Sequence, residues 1–574
     1  MYIDVVPNRR SRPAILLRES WREGKKICKR TVANITDWPA VQVEALRAVL
    51  RGEELVSPKD VFTIKRNLAH GHVRAVLGTM RKLGLPDLID PKGSRQRNLV
   101  LAMIAWRVID PGSKCSSVQT WKHSTLPDEL AIRDADKNDL YDALDWLVKR
   151  QSKIEEKLAR KHLSEGATVL YDLSSSFYWG ATCPLVKYGH NRDGNRLPII
   201  VYGVMTDRDG RPLASSVYPG NTADPATVSD QVKKLKHRFN LERAILVGDR
   251  GVLTHARIED LKQYPGLTWI SALRAPEIRK LAAGGMLQMS LFDEQHLAEI
   301  SAPEDFPGER LIACYNPFLA ADRKRTREEL LADTEADLVR VSREAARRTK
   351  RPLSADEIGI RVGKVLNRHQ VGKHFDIKIE AGQLLCSRDE ESIRREAELD
   401  GVYVLRTSEP EDRLSADSVV RNYKNLSQVE RAFRTMKGVD LLVRPIYHRL
   451  ADHVRAHLFL CLLAYYVEWH LRQGLAPLLF ADEELAVRRW QRDPVVPAEA
   501  SASAKRKKGR AQTEDGLPVH SFKSLIKELG TQHRNQCVLK RNVKRGESPV
   551  VSLLTEPTPI QKRAFELLGI NCTQ

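Results

Sequence analysis

Cysteine is sparse in this chain: eight residues are scattered over 574 positions without a Cys-x-x-Cys pair. That spacing argues against a zinc ribbon and against a disulfide framework, and it fits a reducing cytoplasm. Long apolar runs are also missing, since the most apolar segment, 458–467, has ten residues where a membrane span needs about 20. Residues 1–7 carry no charged-then-apolar signal pattern. We therefore expect a cytoplasmic protein with 458–467 in a core helix.

Acidic residues are outnumbered by basic ones, with 74 Asp and Glu against 94 Lys and Arg, giving a net charge of +20. Such an excess favours a polyanionic partner, usually nucleic acid, although ribosomal and membrane-surface proteins share the bias. A hydrophobic content of 42% supports sizeable cores and so indicates a globular protein. The length predicts about three to four domains.

Three carboxylates stand in contexts that suit a metal-dependent nuclease. Asp172 and Asp249 each follow a short apolar run, which predicts both at the ends of buried strands. Glu430 lies in a helix predicted over residues 423–437. Two strand-end aspartates and a helical glutamate can converge on a pair of Mg²⁺ ions, which activate a nucleophile and stabilise the leaving oxygen at a phosphodiester. Taken alone, each aspartate is better explained as a turn former than as a metal ligand.

Glu430 also has a purely structural explanation. Ser427 and Glu430 fit a capping box, in which the glutamate returns to the serine N–H at the start of a helix. Against that explanation, Tyr423, Glu430 and Lys437 recur every seven residues, so on one continuous helix they share a face with a drift of only ~20° per heptad. A lysine two turns beyond a metal-binding glutamate can reach a DNA phosphate as a point charge.

The residues around Glu430 resemble the DDE transposases of bacterial insertion sequences, in the group with a Tyr-(2)-Arg-(3)-Glu-(6)-Lys signature. Tyr423, Glu430 and Lys437 match that spacing, whereas Leu426 stands at the Arg position. The resemblance spans roughly residues 165 to 470, and the order and spacing of its motifs make it specific. Four further stretches are similar to the family, namely residues 172–176, 188–193, 219–224 and 248–251.

This resemblance implies a ribonuclease-H-like α/β catalytic core in which Asp172, Asp249 and Glu430 are the catalytic residues and the metal ligands. The implied cofactor is Mg²⁺ or Mn²⁺, as two ions. The implied activity is cleavage of DNA strands at the ends of the element, followed by strand transfer into target DNA. The implied partners are double-stranded DNA, as terminal inverted repeats and target, and a second copy of the chain in a synaptic complex. Such a protein acts in the cytoplasm, in association with the nucleoid.

The predicted core is interrupted, because Glu430 follows Asp249 by 181 positions, far more than a connecting loop contains. The resemblance implies a β-rich insertion at this point. Mainly helical patterns precede the core, and a basic, Pro- and Ala-rich stretch at 494–512 predicts a disordered linker after it. The predicted segments are 1–160 (N-terminal, expected to bind the DNA ends), 161–275 (first part of the core), 276–400 (insertion), 401–475 (second part of the core, with the Glu helix) and 476–574 (basic linker and C-terminal helical region).

Several cationic or polar side chains are predicted to contact DNA. Some surround the carboxylates, and the others form a basic run in the predicted linker, where a solvated run is an equal alternative. The predicted DNA-binding residues are Tyr423, Lys437, Arg434, Arg250, Lys505, Arg506, Lys507 and Lys508.

Two other functions are considered. A phosphohydrolase of the haloacid-dehalogenase type loosely fits the contexts of Asp172 and Asp249, but its chemistry requires a second aspartate where Ser174 stands. A non-catalytic DNA-binding protein derived from a mobile element is the third possibility, against which the presence of all three acids argues.

Histidines downstream of the Glu helix raise the question of zinc. His453 and His457 have the four-residue spacing of helical zinc ligands. No His-Glu-x-x-His pattern and no suitably placed cysteine accompany them, so packing, capping or phosphate contacts are favoured. Trp179 is expected to be a core aromatic rather than a platform for a displaced base.

Overall fold

The computed structural model describes residues 1–8, 12–53, 62–180, 182–190, 197–293, 295–302, 304–348, 350–380, 382–539 and 550–571. Internal contacts divide the chain into two compact units. The smaller comprises residues 1–68 and 533–556, and the larger comprises 69–532 and 557–574. This division differs from the five predicted segments, because the helices from residue 71 onward belong to the unit that holds the central sheet, whereas the N-terminal strands belong to the smaller unit.

The smaller unit contains two three-stranded sheets. The first is an antiparallel meander of β1 (Tyr2–Val6), β2 (Ala14–Glu23) and β3 (Lys26–Asn34), followed by helix α1 (Ala40–Leu50). The second sheet has the order β16-β15-β4 and combines β4 (Phe62–Ala69), β15 (His533–Leu539) and β16 (Val550–Leu554).

The larger unit begins with a helical layer, as predicted. Helix α4 (Arg95–Ile109) is buried almost throughout from Leu99 onward and packs against α7 (Lys137–Val148) and α17 (Ala451–Gly474). Residues 137–162 form two helices that separate at residues 149–150. The helices are α2 (Gly71–Lys82), α3 (Leu85–Ile89), α4 (Arg95–Ile109), α5 (Lys114–Thr120), α6 (Leu126–Glu129), α7 (Lys137–Val148), α8 (Gln151–His162) and, later in the chain, α17 (Ala451–Gly474).

An eight-stranded mixed sheet with the order β10-β11-β14-β9-β8-β5-β6-β7 forms the centre of the larger unit. Strand β5 is antiparallel to β6 and parallel to β8, which in turn is parallel to β9. The strands are β5 (Ala167–Phe177), β6 (Ile199–Asp207), β7 (Pro212–Pro219), β8 (Ala244–Val247), β9 (Leu267–Ala272), β10 (Leu297–Ile300), β11 (Arg310–Tyr315) and β14 (Val402–Thr407).

Both faces of this sheet are covered, which explains the continuous apolar runs of its central strands. Every residue of β6 is buried. One face packs against α4, α16 (Leu426–Lys437) and α17 in the largest core. The opposite face packs against α8, α9 (Val228–Lys233) and α10 (His255–Lys262). A 3₁₀ turn at Asp224–Thr227 precedes α9 and a π-helical segment at Lys234–Arg238 follows it.

Residues 273–401 contradict the expectation of a β-rich insertion, because far more of its residues lie in helices than in strands. Its strands β10 and β11 extend the main sheet, and a separate hairpin pairs β12 (Phe375–Glu380) with β13 (Gln383–Arg388). In its helices, apolar residues recur at helical spacing among charged ones. The apolar residues between 331 and 393 form a separate hydrophobic core. The helices are α11 (Ala275–Ala283), α12 (Pro317–Arg347), α13 (Ala355–His369) and α14 (Glu390–Ala397).

The C-terminal part begins with α15 (Ala416–Lys424), α16 and α17, and the predicted core helix at 458–467 is confirmed within α17, which is buried there. The predicted disordered linker is wrong for residues 502–510, where helix α19 (Ala502–Arg510) begins at a Ser501 side chain that accepts a bond from the Ala504 amide at 3.1 Å. Across the described parts of the chain, no helix has the length and apolar character to cross a membrane. The remaining helices are α18 (Leu485–Arg488), α20 (Phe522–Gly530) and α21 (Pro559–Leu568).

Candidate active site

Asp172 lies in the middle of β5, so the prediction that it ends its strand is wrong. It pairs across the antiparallel ladder with Val204. On the other side, the parallel pairing of β5 with β8 stops at Leu170, and Asp172 therefore extends beyond the end of its parallel neighbour. Its Oδ1 atom accepts a hydrogen bond from the Leu173 amide at 2.7 Å.

The alternation of side chains along β5 determines which face Asp172 occupies. Tyr171 and Leu173 belong to the core beneath one face of the sheet. Leu170 belongs to the core on the other face, together with Val429 of helix α16. Because residues two apart in a strand share a face, Asp172 lies on the face that α16 covers.

Asp249 occupies the first turn after β8, as predicted. Its Oδ1 atom accepts hydrogen bonds from the backbone amides of Gly251 at 3.0 Å and Val252 at 2.8 Å. These two bonds fix the orientation of an exposed carboxylate, with its Oδ2 atom outside both of them. A carboxylate has acceptor capacity on both oxygens, so Asp249 can be held by the turn and still serve as a ligand.

The helix of Glu430 is shorter than predicted, because α15 and α16 are separate helices divided at Asn425. The premise that Tyr423 and Glu430 share one continuous helix is therefore wrong. Asn425 is buried, and its side-chain oxygen accepts a hydrogen bond from Arg489. The capping-box alternative is also wrong, since α16 begins at Leu426 and the Ser427 hydroxyl donates to the Lys424 carbonyl at 2.8 Å.

Packing of α16 on the sheet presents Glu430 to solvent beside the strands. Its buried stripe includes Val429, Phe433 and Met436. The ring of Phe433 meets that of Tyr202 on β6 edge to face, with centroids 5.8 Å apart. Glu430 is exposed on the neighbouring surface of the same helix.

Tyr423 links the three carboxylates in space. Burial, together with the negative charges of Asp249, Asp172 and Glu430, raises the pKa of Tyr423 to about 12, while Arg250 opposes the shift. Three acids from β5, from the turn after β8 and from α16 thus act on one hydroxyl. Within the described residues, no set of three or more His, Cys, Asp or Glu side chains is already arranged to hold a metal ion.

Arg421 does not replace the arginine that the family signature has at the position of Leu426. Leu426, which occupies it, is buried in the main core. Arg421 is also buried, and its guanidinium donates to the Arg489 and Arg492 carbonyls and, at 3.1 Å, to Asp417. Arg421 is therefore engaged in the fold.

The cations predicted to contact DNA fall into two groups. Arg250 and Arg434 are exposed and Lys437 is half-buried, and they lie in the elements that carry Asp249 and Glu430. The other group lies on α19, away from those elements. There Lys505 pairs with Glu499, Arg506 with Glu514 and Lys507 with Glu483, and Lys508 is exposed. Lys507 is buried, so only the outer members of this run can meet a phosphate as the helix stands.

Trp179 is not the core aromatic that was expected, since 56% of it is exposed. It follows β5, and its ring lies edge to face with Phe177 at 6.1 Å. The mixture of polar and apolar residues at 177–180 gave no periodic signal from which this exposure could be predicted.

Residues 182–467 match the family model described as the transposase DDE domain. Residues 3–60 match the N-terminal domain of the IS1634 family of transposases. The two matches together span more than half of the chain. The protein is a DDE transposase of the insertion-sequence type. The first match includes Asp249 and Glu430, and DDE transposases generally use divalent metal ions. The second match falls within the smaller unit, which was not predicted as a separate unit.

One solved structure is similar in outline to this transposase. It is described as a cryo-EM structure of the piggyBac transposase synaptic complex with hairpin DNA. The likeness covers 80% of this chain and 76% of that one, at 10% identity and a TM-score of 0.34. No protein with a curated description matches this chain in sequence.

Gly210 positions the hairpin of β6 and β7 against the Glu430 helix. Its φ is +84°, and a Cβ there would lie 2.7 Å from that of Gln428. Gly210→Ala is expected to lower the free energy of unfolding by ~1–3 kcal/mol through backbone strain. Because the added Cβ would displace α16, the variant is also expected to cleave DNA more slowly than the wild type. The matched control is Gly24→Ala, where φ is +63° and nothing lies within 4 Å. Unfolding free energy and cleavage rate are measured for both; equal cleavage by the two variants contradicts the positioning role.

Proposed function

We propose that Asp172, Asp249 and Glu430 form the active site at which this transposase cuts DNA at the ends of its element and joins the freed 3′-hydroxyl to target DNA. The observation that carries the proposal is the arrangement of the three elements that hold the acids. Asp172 lies on the face of β5 that the Glu430 helix α16 covers, and Asp249 follows β8, the parallel neighbour of β5. The same three acids raise the pKa of the half-buried Tyr423.

The carboxylates suit a divalent cation. They offer only oxygen ligands, which Mg²⁺ and Mn²⁺ prefer, and neighbouring acids repel one another unless a cation lies between them. Asp172 and Asp249 would hold both of two positions, and Glu430 would complete one of them. When bound, the two ions would supply activation of the attacking oxygen and stabilisation of the leaving one.

The other residues around the carboxylates would bind and orient the DNA. With its pKa raised to about 12, the Tyr423 hydroxyl keeps its proton at neutral pH and can donate it in a hydrogen bond to a phosphate oxygen. Arg250, Arg434 and Lys437 can neutralise neighbouring phosphates. Lys505, Arg506 and Lys508 would add sequence-independent contacts from α19, and Lys507 would join them only if its pair with Glu483 opened.

We also propose that the catalytic core is ribonuclease-H-like. The order β7-β6-β5-β8-β9, with the first three strands antiparallel and the last three parallel, supports this assignment. The core would comprise residues 161–275 and 401–475, interrupted by the insertion at 276–400. The N-terminal region, 1–160, would bind the terminal inverted repeats in double-stranded DNA. Because an element has two ends, a homodimer would hold both in one synaptic complex, in the cytoplasm at the nucleoid.

The proposal is tested with DNA that carries one element end, a target plasmid and Mg²⁺. We expect cleavage at the element end followed by joining to the plasmid. A pre-cut end that terminates in a 3′-deoxynucleotide should still bind but should not join, because it lacks the attacking hydroxyl. DNA with a scrambled end is the control for recognition. Joining of the 3′-deoxy end at the rate of the 3′-hydroxyl end would contradict the proposed reaction.

A further inference from the structure

A cavity of about 510 Å³ lies in the larger unit, beside the segment that follows the Glu430 helix. Arg107, Lys114 and His457 are buried side chains in its lining. Arg444 and Arg449 also line it. Among the residues that the structure describes, none of those lining the cavity is acidic. The cavity is therefore strongly cationic.

The buried cations of this cavity are held by neutral groups. The Lys114 Nζ atom donates to His457 Nδ1 at 3.3 Å, and His457 Nε2 donates to the Val443 carbonyl at 3.0 Å. The Arg107 guanidinium donates to the backbone carbonyls of residues 441–442 at 3.4 Å. These contacts fix the positions of the cations and leave their charge without a carboxylate partner in the described chain.

Cations buried in this way are costly to the fold. A buried cation without a counter-ion destabilises the fold. Burial, followed by the charge of Arg107, lowers the pKa of Lys114 to about 7. A bound anion would offset both effects and restore the charge of the lysine. The cavity thus has the chemistry of an anion site.

The size of the cavity and the residues in its wall indicate which kind of anion it would bind. The cavity is larger than a simple ion requires, and Tyr141, stacked on His453 with ring centroids 5.3 Å apart, gives it an aromatic wall. Convergent cations suit the oxygens of a phosphate, and an aromatic wall suits a nucleoside. We propose that this cavity binds the phosphate of a nucleotide, with Lys114 and Arg107 as the charged contacts and Tyr141 beside the nucleoside.

The cavity is separate from the carboxylate site but connected to it by β5. The Tyr178 hydroxyl donates to the His448 carbonyl at 3.1 Å, and His448 lines the cavity. Tyr178 follows β5, and six residues of extended strand separate it from Asp172, or about 20 Å. On the proposed function, on which this step rests, the bound phosphate belongs to a nucleotide several positions from the scissile bond.

The test uses the full-length protein and the variant Lys114→Met, with the exposed Lys149→Met as the matched control. Probes are inorganic phosphate and short oligonucleotides with and without a 5′-phosphate, at constant ionic strength. We expect Lys114→Met to raise the melting temperature of the free protein, because it removes a buried unpaired charge. The same variant should lose about ten- to a hundredfold in affinity for the probe that binds, as for a charged hydrogen bond. Lys149→Met should change neither quantity.

The probes distinguish the sources of the phosphate. Binding of both oligonucleotides through Lys114 assigns the site to an internal phosphodiester of DNA. Binding of only inorganic phosphate and the 5′-phosphorylated oligonucleotide assigns it to a terminal or free phosphate. The proposal is overturned if no probe binds, or if Lys114→Met binds every probe as tightly as the wild type. Because these measurements require no cleavage, the cavity proposal can fail while cleavage at element ends still occurs.

Discussion

Glu430→Gln is expected to abolish strand cleavage while leaving binding of the element ends nearly intact. The substitution removes one negative charge and almost no volume from an exposed side chain, so the packing of α16 through Val429 and Phe433 is unaffected. Loss of roughly a thousandfold in cleavage rate, corresponding to about 4 kcal/mol, is expected where a carboxylate completes a metal site. DNA affinity depends mainly on lysine and arginine and should change little.

The control for this experiment is Glu398→Gln, an exposed glutamate outside the elements that carry the acids. Cleavage by both variants is measured on the same element-end DNA in Mg²⁺, alongside binding at a fixed salt concentration. The control should cut at the wild-type rate. Glu430 would lose its assignment if its variant cut as fast as the control, and loss of binding in parallel with cleavage would make the residue structural.

The sequence predicted the strands of the site well because they are buried on both faces. The runs 167–171 and 244–247 are uninterrupted apolar segments, and both lie in the central sheet. The turn that carries Asp249 was predicted because a glycine and charged residues end the second apolar run. The first run gave the wrong end for β5, because the polar residues that follow it are buried and continue the strand through Phe177.

Longer-range features could not be predicted from local patterns. The heptad spacing of Tyr423, Glu430 and Lys437 suggested a continuous helix, but tertiary hydrogen bonding from Arg489 to Asn425 accompanies the break between α15 and α16. Tyr423 nevertheless lies near the acids, because α15 and α16 are consecutive. The prediction that Tyr423 and Glu430 lie close together therefore assumed one continuous helix, whereas the structure has two.

Basic residues were the least predictable from the sequence. The run 505–510 suggested a solvated linker, yet a Ser501 cap and the pair between Lys507 and Glu483 make it a helix. Conversely, the burial of Lys114 and Arg107 in a cavity could not be predicted, because other residues that line this cavity are more than 300 positions away in the sequence. A run of basic residues in the sequence shows that charge is present, but the burial and the ion-pair partners of each side chain depend on the fold.

Metal identity should have an equally large effect on activity. We expect Mg²⁺ or Mn²⁺ to support cleavage and Ca²⁺ to support DNA binding and assembly without chemistry. Asp172, Asp249 and Glu430 supply only hard oxygen ligands, which select these cations over softer ones. Mg²⁺ demands near-octahedral geometry at 2.0–2.1 Å, whereas Ca²⁺ accepts looser coordination at 2.3–2.6 Å, so Ca²⁺ would position the attacking oxygen poorly.

The measurement compares cleavage and gel-shift assembly on element-end DNA in each cation and with a chelator, using metal-free protein. Wild type in Ca²⁺ and Glu430→Gln in Mg²⁺ should both assemble and fail to cut, because each has lost one part of the same site. Addition of Mn²⁺ to the Ca²⁺-assembled wild type should start cleavage, since the DNA is already in place. Full activity in chelator without added metal would contradict the metal requirement, and cleavage in Ca²⁺ at the Mg²⁺ rate would contradict the expectation that Ca²⁺ positions the attacking oxygen poorly.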